Sequence, residues 1–168
     1  MVKKKTKVIA IIQARYNSIR LKGKILKKIS KYSSIELVYK RLKKSKLIEE
    51  IIIATSGDIT NKPFVDFLKK KNMKYFVGSD QNVLKRYYDA AKLYNASDIV
   101  RITGDSTLID SNVVDKVIKE YFDKKVDYAC NTMPPTFPDG MDTDIFSMKT
   151  LTNTFKFAKT KYCLLYTS

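Results

Sequence analysis

The sequence predicts a three-layer α/β/α fold around a mostly parallel sheet, on three observations. Residues 8–12 form an unbroken apolar run that stops at Gln13, a pattern suited to a strand covered on both faces. Short apolar runs then alternate with segments of helical period, as βαβ units require. Finally, the five glycines, Gly23, Gly57, Gly78, Gly104 and Gly140, all fall in loops placed after predicted strands, hence on one edge of the sheet. Any one of them serves as an ordinary turn. Five on one edge mark a ligand cleft, and open α/β sheets place such clefts at the carboxyl ends of their strands.

Each element has its own signal. After the first strand comes a loop carrying Arg15, Arg20, Lys22 and Lys24 around Asn17, Ser18 and Gly23. Ser33 to Glu36 reads as a capping box that opens a helix with Ile35, Val38, Tyr39 and Leu42 on its apolar face. A strand is expected over 50–55, and a helix from Asn61 that turns Phe64, Phe67 and Leu68 inward, with Pro63 tolerated in its first turn. A short strand over 74–77 leads to a helix over 82–94 with Val83, Leu84, Tyr87, Ala90, Ala91 and Tyr94 at helical spacing. Then follow a strand over 98–103, a helix over 111–124 that buries Val114, Val117, Ile118, Tyr121 and Phe122, and a strand over 127–131. A proline-rich loop, a strand near 143–147 and a helix from 148 to about 159 close the pattern.

At 168 residues the chain is expected to form one domain with a real core. With no histidine, Ser-His-Asp triads, His-based acid–base catalysis and most zinc sites are excluded. Any chemistry must run on carboxylates, cations and metal. Cys130 and Cys163 show no metal spacing and suit a reducing compartment. No stretch approaches the ~20 apolar residues of a membrane span, and the basic first residues lack the apolar core of a signal peptide, so a cytoplasmic location is expected. The net charge of +16 is compatible with a nucleic-acid partner. The excess, however, is almost all lysine spread along every segment, whereas base reading favours arginine. The charge reads mainly as compositional bias that also attracts an anionic substrate.

The first loop has the makings of a phosphate site: small residues, backbone donors and fixed positive charge. Arg15 can fork two donors onto phosphate oxygens, and Lys24 supplies a compact point charge. The spacing is neither a P-loop nor a dinucleotide fingerprint. On composition alone a solvated basic loop fits as well.

The run Ile11-Ile12-Gln13-Ala14-Arg15, then Ser18, Arg20-Leu21, Gly23-Lys24 and Leu26, resembles the opening signature of the cytidylyltransferase family. That family includes the acylneuraminate and 3-deoxy-manno-octulosonate cytidylyltransferases, and the resemblance is strongest to the spore coat polysaccharide biosynthesis protein F branch. Lys22 stands where the family has proline, which removes one constraint on the loop. Three further motifs follow in order: Gly78-Ser79-Asp80-Gln81-Asn82-Val83-Leu84 with Arg86-Tyr87, then Arg101-Ile102-Thr103-Gly104-Asp105 with Leu108-Ile109-Asp110, then the loop from Asn131 to Asp142. Together they span residues 8–159.

The resemblance implies a nucleotide-diphospho-sugar transferase-like (Rossmann-like) fold. It also implies transfer of a nucleotidyl group from CTP, or another nucleoside triphosphate, to a sugar or sugar acid for cell-surface polysaccharide synthesis. Arg15 and Lys24 become the catalytic cations, with Gln13, Ala14, Asn17 and Ser18 beside them on the nucleotide. Asp105 becomes the Mg2+ ligand, although taken alone an Asp after Gly is an ordinary turn residue. Thr55, Ser56, Ser79, Asp80, Asn82 and Val83 fall to the base, and Arg101, Asn131, Pro138, Asp139 and Asp142 to the sugar side. Ser79 or Asp80 equally suits helix N-capping, and the aspartates of the last loop equally suit turns. Residues 160–168 do not continue the family pattern, so the chain reads as lacking the C-terminal strands, dimer contact and further carboxylate of such enzymes. Three other readings stay open: a glycosyltransferase using Asp142-Thr143-Asp144 as a D-x-D metal pair, a basic nucleic-acid-binding module, and an inactive nucleotide-binding remnant.

Overall fold

The computed structural model describes residues 6–18 and 21–158. Its strands are β1 (Val8–Gln13), β2 (Lys28–Ile29), β3 (Tyr32–Ser33), β4 (Glu50–Ser56), β5 (Tyr75–Gly78), β6 (Asp98–Thr103), β7 (Tyr128–Cys130) and β8 (Asp144–Ser147). Its helices are α1 (Ser34–Leu42), α2 (Lys62–Lys70), α3 (Val83–Leu93), α4 (Ser111–Lys124) and α5 (Met148–Phe157). Six strands form one sheet in the order β5-β4-β1-β6-β8-β7, while β2 and β3 pair as a separate hairpin.

The unbroken apolar run of β1 follows from its place. It lies between parallel neighbours β4 and β6, with Gln13 opposite Ala54 on one side and Thr103 on the other. Val8, Ala10 and Ile12 pack with α1, α2 and α4, whereas Ile9 and Ile11 pack with α3 and α5. With helices above and below, neither face of the strand meets water, so no polar alternation is needed.

From β1 the chain steps outward through β4 to β5 and then returns across the sheet to β6 on the other side. The loops after β1 and β6 therefore part in opposite directions, making the switch point at which open α/β sheets bind ligands. β8 runs antiparallel to both β6 and β7, so β7 points the same way as β6. All five glycines thus lie at the carboxyl edge of the parallel strands, as expected.

The strand over 98–103 and the helix over 111–124 form with the expected bounds. The capping box also forms, with Glu36 N donating to Ser33 Oγ at 3.4 Å and Ser33 N to Glu36 Oε2 at 2.8 Å. Phe122 departs from expectation: it is 38% exposed. Positions 114, 117, 118 and 121 fill the inner face of α4, which leaves Phe122 at its margin, edge-on to Tyr121. Lys159 and the residues after it lie outside the described residues, as does Arg20 of the first loop. Among the described residues no helix is long and apolar enough to cross a membrane.

Candidate functional site

The site grows from the register of β1 and β6. Gln13 and Thr103 are partners, so Arg15 and Asp105 each stand two residues beyond the same rung, on adjacent strand ends. Gly104 lets the two ends close up: its N–H donates to Gln13 O at 2.8 Å, and a Cβ there would stand 2.8 Å from both Ala14 Cβ and Ile25 Cδ1. The first loop returns along this contact, with Gly23 N donating to Tyr16 O at 2.9 Å. A short 3-10 turn, Lys24–Leu26, then buries Ile25 and projects Lys24 across the gap. Lys24 Nζ donates to Asp105 Oδ2 at 2.5 Å, joining residues 81 apart in sequence. Burial pushes the Asp105 carboxyl up, but the hydrogen bond and charge of Lys24 outweigh it and hold the group below the ordinary carboxylate range. Burial, and to a smaller extent the charge of Arg15, push the Arg86 guanidinium below its ordinary value.

A residue that the sequence offered only as a helix start organises this corner. Asn61 is 1% exposed and sits in helical conformation with no capping bond of its own. Its amide nitrogen donates to Thr55 Oγ1 and to Ser56 O, both at 2.7 Å, while its oxygen accepts from Tyr16 N at 2.9 Å. One buried amide thus ties the first loop to the end of β4. The available signal was an asparagine six residues after a strand-terminal Thr-Ser, which is weak.

Of the residues assigned to the nucleotide, Ala14 is buried at the crossing, Asn17 is exposed, and Ser18 N closes a turn onto Tyr16 O at 3.0 Å. Thr55 and Ser56, assigned to the base, are both buried at the end of β4, Thr55 bonded to Asn61 and Ser56 Oγ accepting from Asp58 N at 3.1 Å, because the 56–61 segment folds back over the strand end. In the loop before α3 the cap is Asn82, whose side chain accepts from Lys85 N at 2.8 Å, rather than Ser79 or Asp80. Ser79 Oγ accepts from Asn82 N at 3.0 Å, and Val83 packs into the core beneath.

Two residues assigned to the sugar side are committed elsewhere. Arg101 forms an ion pair with Asp144 on the neighbouring strand at 2.9 Å, with only 18% and 13% of the two side chains exposed. Tyr128 OH donates to the other Asp144 oxygen at 2.5 Å. Both oxygens of Asp144, the last residue of the Asp142-Thr143-Asp144 triplet, thus carry a bond within the protein. Asn131 is a clasp: its side chain donates to Met141 O and accepts from Thr143 N, each at 2.9 Å, closing the loop on itself. Pro138, Asp139 and Asp142 remain exposed on that loop. Burial and the charges of Asp139 and Asp144 push the Asp142 carboxyl up.

Cations and a carboxylate gathered at the switch point of a mostly parallel sheet define an α/β protein of the nucleotidyltransferase type. The chain belongs to the cytidylyltransferase family, which it matches over residues 9–162. It is 36% identical over 156 residues to an uncharacterized protein of Methanocaldococcus jannaschii, covering 93% of this chain and 63% of the relative. It is 30% identical to the spore coat polysaccharide biosynthesis protein SpsF of Bacillus subtilis, covering 73% of this chain and 52% of that protein. Against the 3-deoxy-manno-octulosonate cytidylyltransferase of Fusobacterium nucleatum the identity is 33%, covering 71% and 48%. The chain thus spans about half to under two thirds of these relatives' lengths. Among solved structures, a cytidylyltransferase from Leptospira borgpetersenii superposes with TM-score 0.90 at 32% identity over 96% of this chain and 68% of that one. The CTP complex of CMP:2-keto-3-deoxy-manno-octonic acid synthetase shares the fold, with TM-score 0.73 at 16% identity over 92% of this chain and 80% of that one.

Proposed function

We propose that this chain catalyses nucleotidyl transfer from CTP to a sugar or sugar acid, with release of pyrophosphate, as a step toward cell-surface polysaccharide. The observation that carries this reading is the Lys24–Asp105 contact, which brings an ammonium from the first loop onto an ionised carboxylate at the end of β6 inside a cytidylyltransferase framework.

In the reaction a sugar hydroxyl oxygen attacks the α-phosphorus in line. The bond from that phosphorus to the oxygen bridging to the β-phosphate breaks, pyrophosphate leaves with the electron pair, and the hydroxyl proton passes to solvent. Such a displacement asks the protein mainly to position groups and offset charge. Arg15 and Lys24 hold the triphosphate, the 79–83 loop faces the base, and the loop bearing Pro138, Asp139 and Asp142 faces the sugar. Asp105 is the carboxylate that would hold magnesium, which would supply charge neutralisation at phosphate oxygens. Among the described residues no three His, Cys, Asp or Glu side chains gather to hold a metal. A single carboxylate suits a magnesium that takes its other ligands from nucleotide phosphates and water.

The test is Lys24→Ala, assayed by pyrophosphate release from CTP with a 3-deoxy-2-keto sugar acid. The rate falls by roughly 10²-fold or more. Stability changes by no more than about 1 kcal/mol, because the pair is solvent-exposed. A variant that kept the wild-type rate would refute the assignment.

A further inference from the structure

Arg86 is a cation that the reaction above does not use. It is 1% exposed, among the largest fully buried side chains. A guanidinium taken out of water costs several kcal/mol unless paired, yet among the described residues no carboxylate forms an ion pair with it, and its Nε has no hydrogen-bond partner. One of its terminal nitrogens donates to the Ser79 carbonyl at 2.6 Å. Room for this is made by Gly78, where a Cβ would stand 3.1 Å from Arg86 Cγ and 2.6 Å from Phe76 Cε1. The sequence thus keeps a costly charge beneath one particular peptide.

The geometry of that peptide has a consequence. In a trans peptide the C=O of one residue and the N–H of the next point in opposite directions. With the Ser79 carbonyl drawn inward to Arg86, the Asp80 N–H is turned away from the protein interior. No turn or cap bond takes up that N–H among the described residues, whereas the next cap donors, Asn82 N and Lys85 N, are both satisfied locally. The peptide follows β5, two strands from β1 and so about 10 Å from the triphosphate end of the cleft, on the side where the base lies in the proposed reaction.

We propose that Arg86 positions the base-reading peptide: by holding the Ser79 carbonyl inward it presents the Asp80 N–H to the base, selecting cytosine over uracil. Cytosine N3 is an acceptor and meets the donor. Uracil N3 carries a hydrogen, and two donors facing each other leave both unpaired. Were the peptide free to flip, its carbonyl would face the base and accept from uracil instead. The inference rests on the CTP reading above.

The experiment compares wild type with Arg86→Lys and Arg86→Met, using Tyr87→Phe as a control. Tyr87 is a buried neighbour on α3 whose OH donates to Ile11 O at 3.4 Å, away from the loop. Hydrogen exchange of residues 79–83 is read in the ligand-free chain, and CTP and UTP affinities are read by calorimetry. Both Arg86 variants exchange faster over 79–83, and their CTP-to-UTP preference falls by about tenfold, less for lysine, which can still donate one bond. Tyr87→Phe lowers stability without moving either quantity. Unchanged exchange and preference in Arg86→Met overturn the Arg86 role while leaving the CTP reading in place, as does an equal loss of preference in Tyr87→Phe. A wild-type chain that binds UTP as well as CTP removes both.

Discussion

Asn61→Ala removes the side chain that joins the first loop to β4. Three hydrogen bonds are lost, two donated at 2.7 Å and one accepted at 2.9 Å, in surroundings where Asn61 itself is 1% exposed. At about 1 kcal/mol each the net loss is about 3 kcal/mol, and Thr55 Oγ1, Ser56 O and Tyr16 N are left to find other partners. For a domain of this size the melting temperature falls by roughly 6–12 °C. The assay is reversible urea unfolding, with hydrogen exchange at the Tyr16 amide as the local readout. Exchange there rises before global unfolding, because Tyr16 N loses its acceptor on Asn61. Asn61→Asp separates the functions of the amide: it keeps an acceptor for Tyr16 N but sets a carboxylate oxygen against Ser56 O, so it is destabilised while Tyr16 stays protected. A loss under 0.5 kcal/mol in Asn61→Ala would refute the idea that this amide organises the corner.

Two further outcomes follow from charges. Asp105, held below the ordinary carboxylate range by Lys24, contributes stability that is present above the unfolded pKa of about 3.9 and is lost as pH falls through its folded value. A carbon-detected titration of Asp105 therefore gives a midpoint below about 3.9 in wild type and a higher one in Lys24→Ala, and equal midpoints would exclude Lys24 as the cause. Asp144→Asn leaves the largely buried Arg101 without its counter-ion and costs about 3–5 kcal/mol in urea unfolding. If instead Asp144→Asn left stability intact and abolished metal-dependent activity, Asp144 would be a metal ligand and the D-x-D glycosyltransferase reading would return.

What the sequence disclosed depended on whether a signal was local. The β6 strand and α4 could be bounded because an apolar run ended at Thr103-Gly104 and Asp110 capped the next helix, its side chain accepting from Asn112 N and Val113 N. The β2–β3 hairpin went unseen because its turn carries Ser30 at φ 59°, a conformation usually signalled by glycine or asparagine, between strands of two residues each. The antiparallel insertion of β8 between β6 and β7 also left no trace, since strand direction is settled by pairing partners far along the chain. At the site, the Lys24 and Asp105 motifs were legible one at a time, and their meeting required the β1–β6 register. The internal partners of Thr55, Ser56, Arg101 and Asn131 were not legible in the sequence, for one physical reason. A polar side chain at a strand end looks alike in sequence whether it faces a ligand or a buried partner, and here Asn61, Asp58, Asp144 and the 131–143 loop supplied the partners.

The polar groups at this edge thus divide by what already satisfies them. Asn61, Thr55, Asn131 and the Arg101–Asp144 pair make their bonds within the protein, and these bonds stiffen the strand ends, although the buried Arg101 Nε is left without a partner. Arg15, Lys24 and Asp105 stand at or near the surface, where the one bond between them is a solvent-exposed ion pair worth about 1 kcal/mol or less. In the proposed reaction a contact that weak would be exchanged for the triphosphate, whose several charged oxygens could engage both cations at once. Rigid, internally satisfied supports beneath a loosely held charge cluster are what a displacement run on positioning and charge compensation requires.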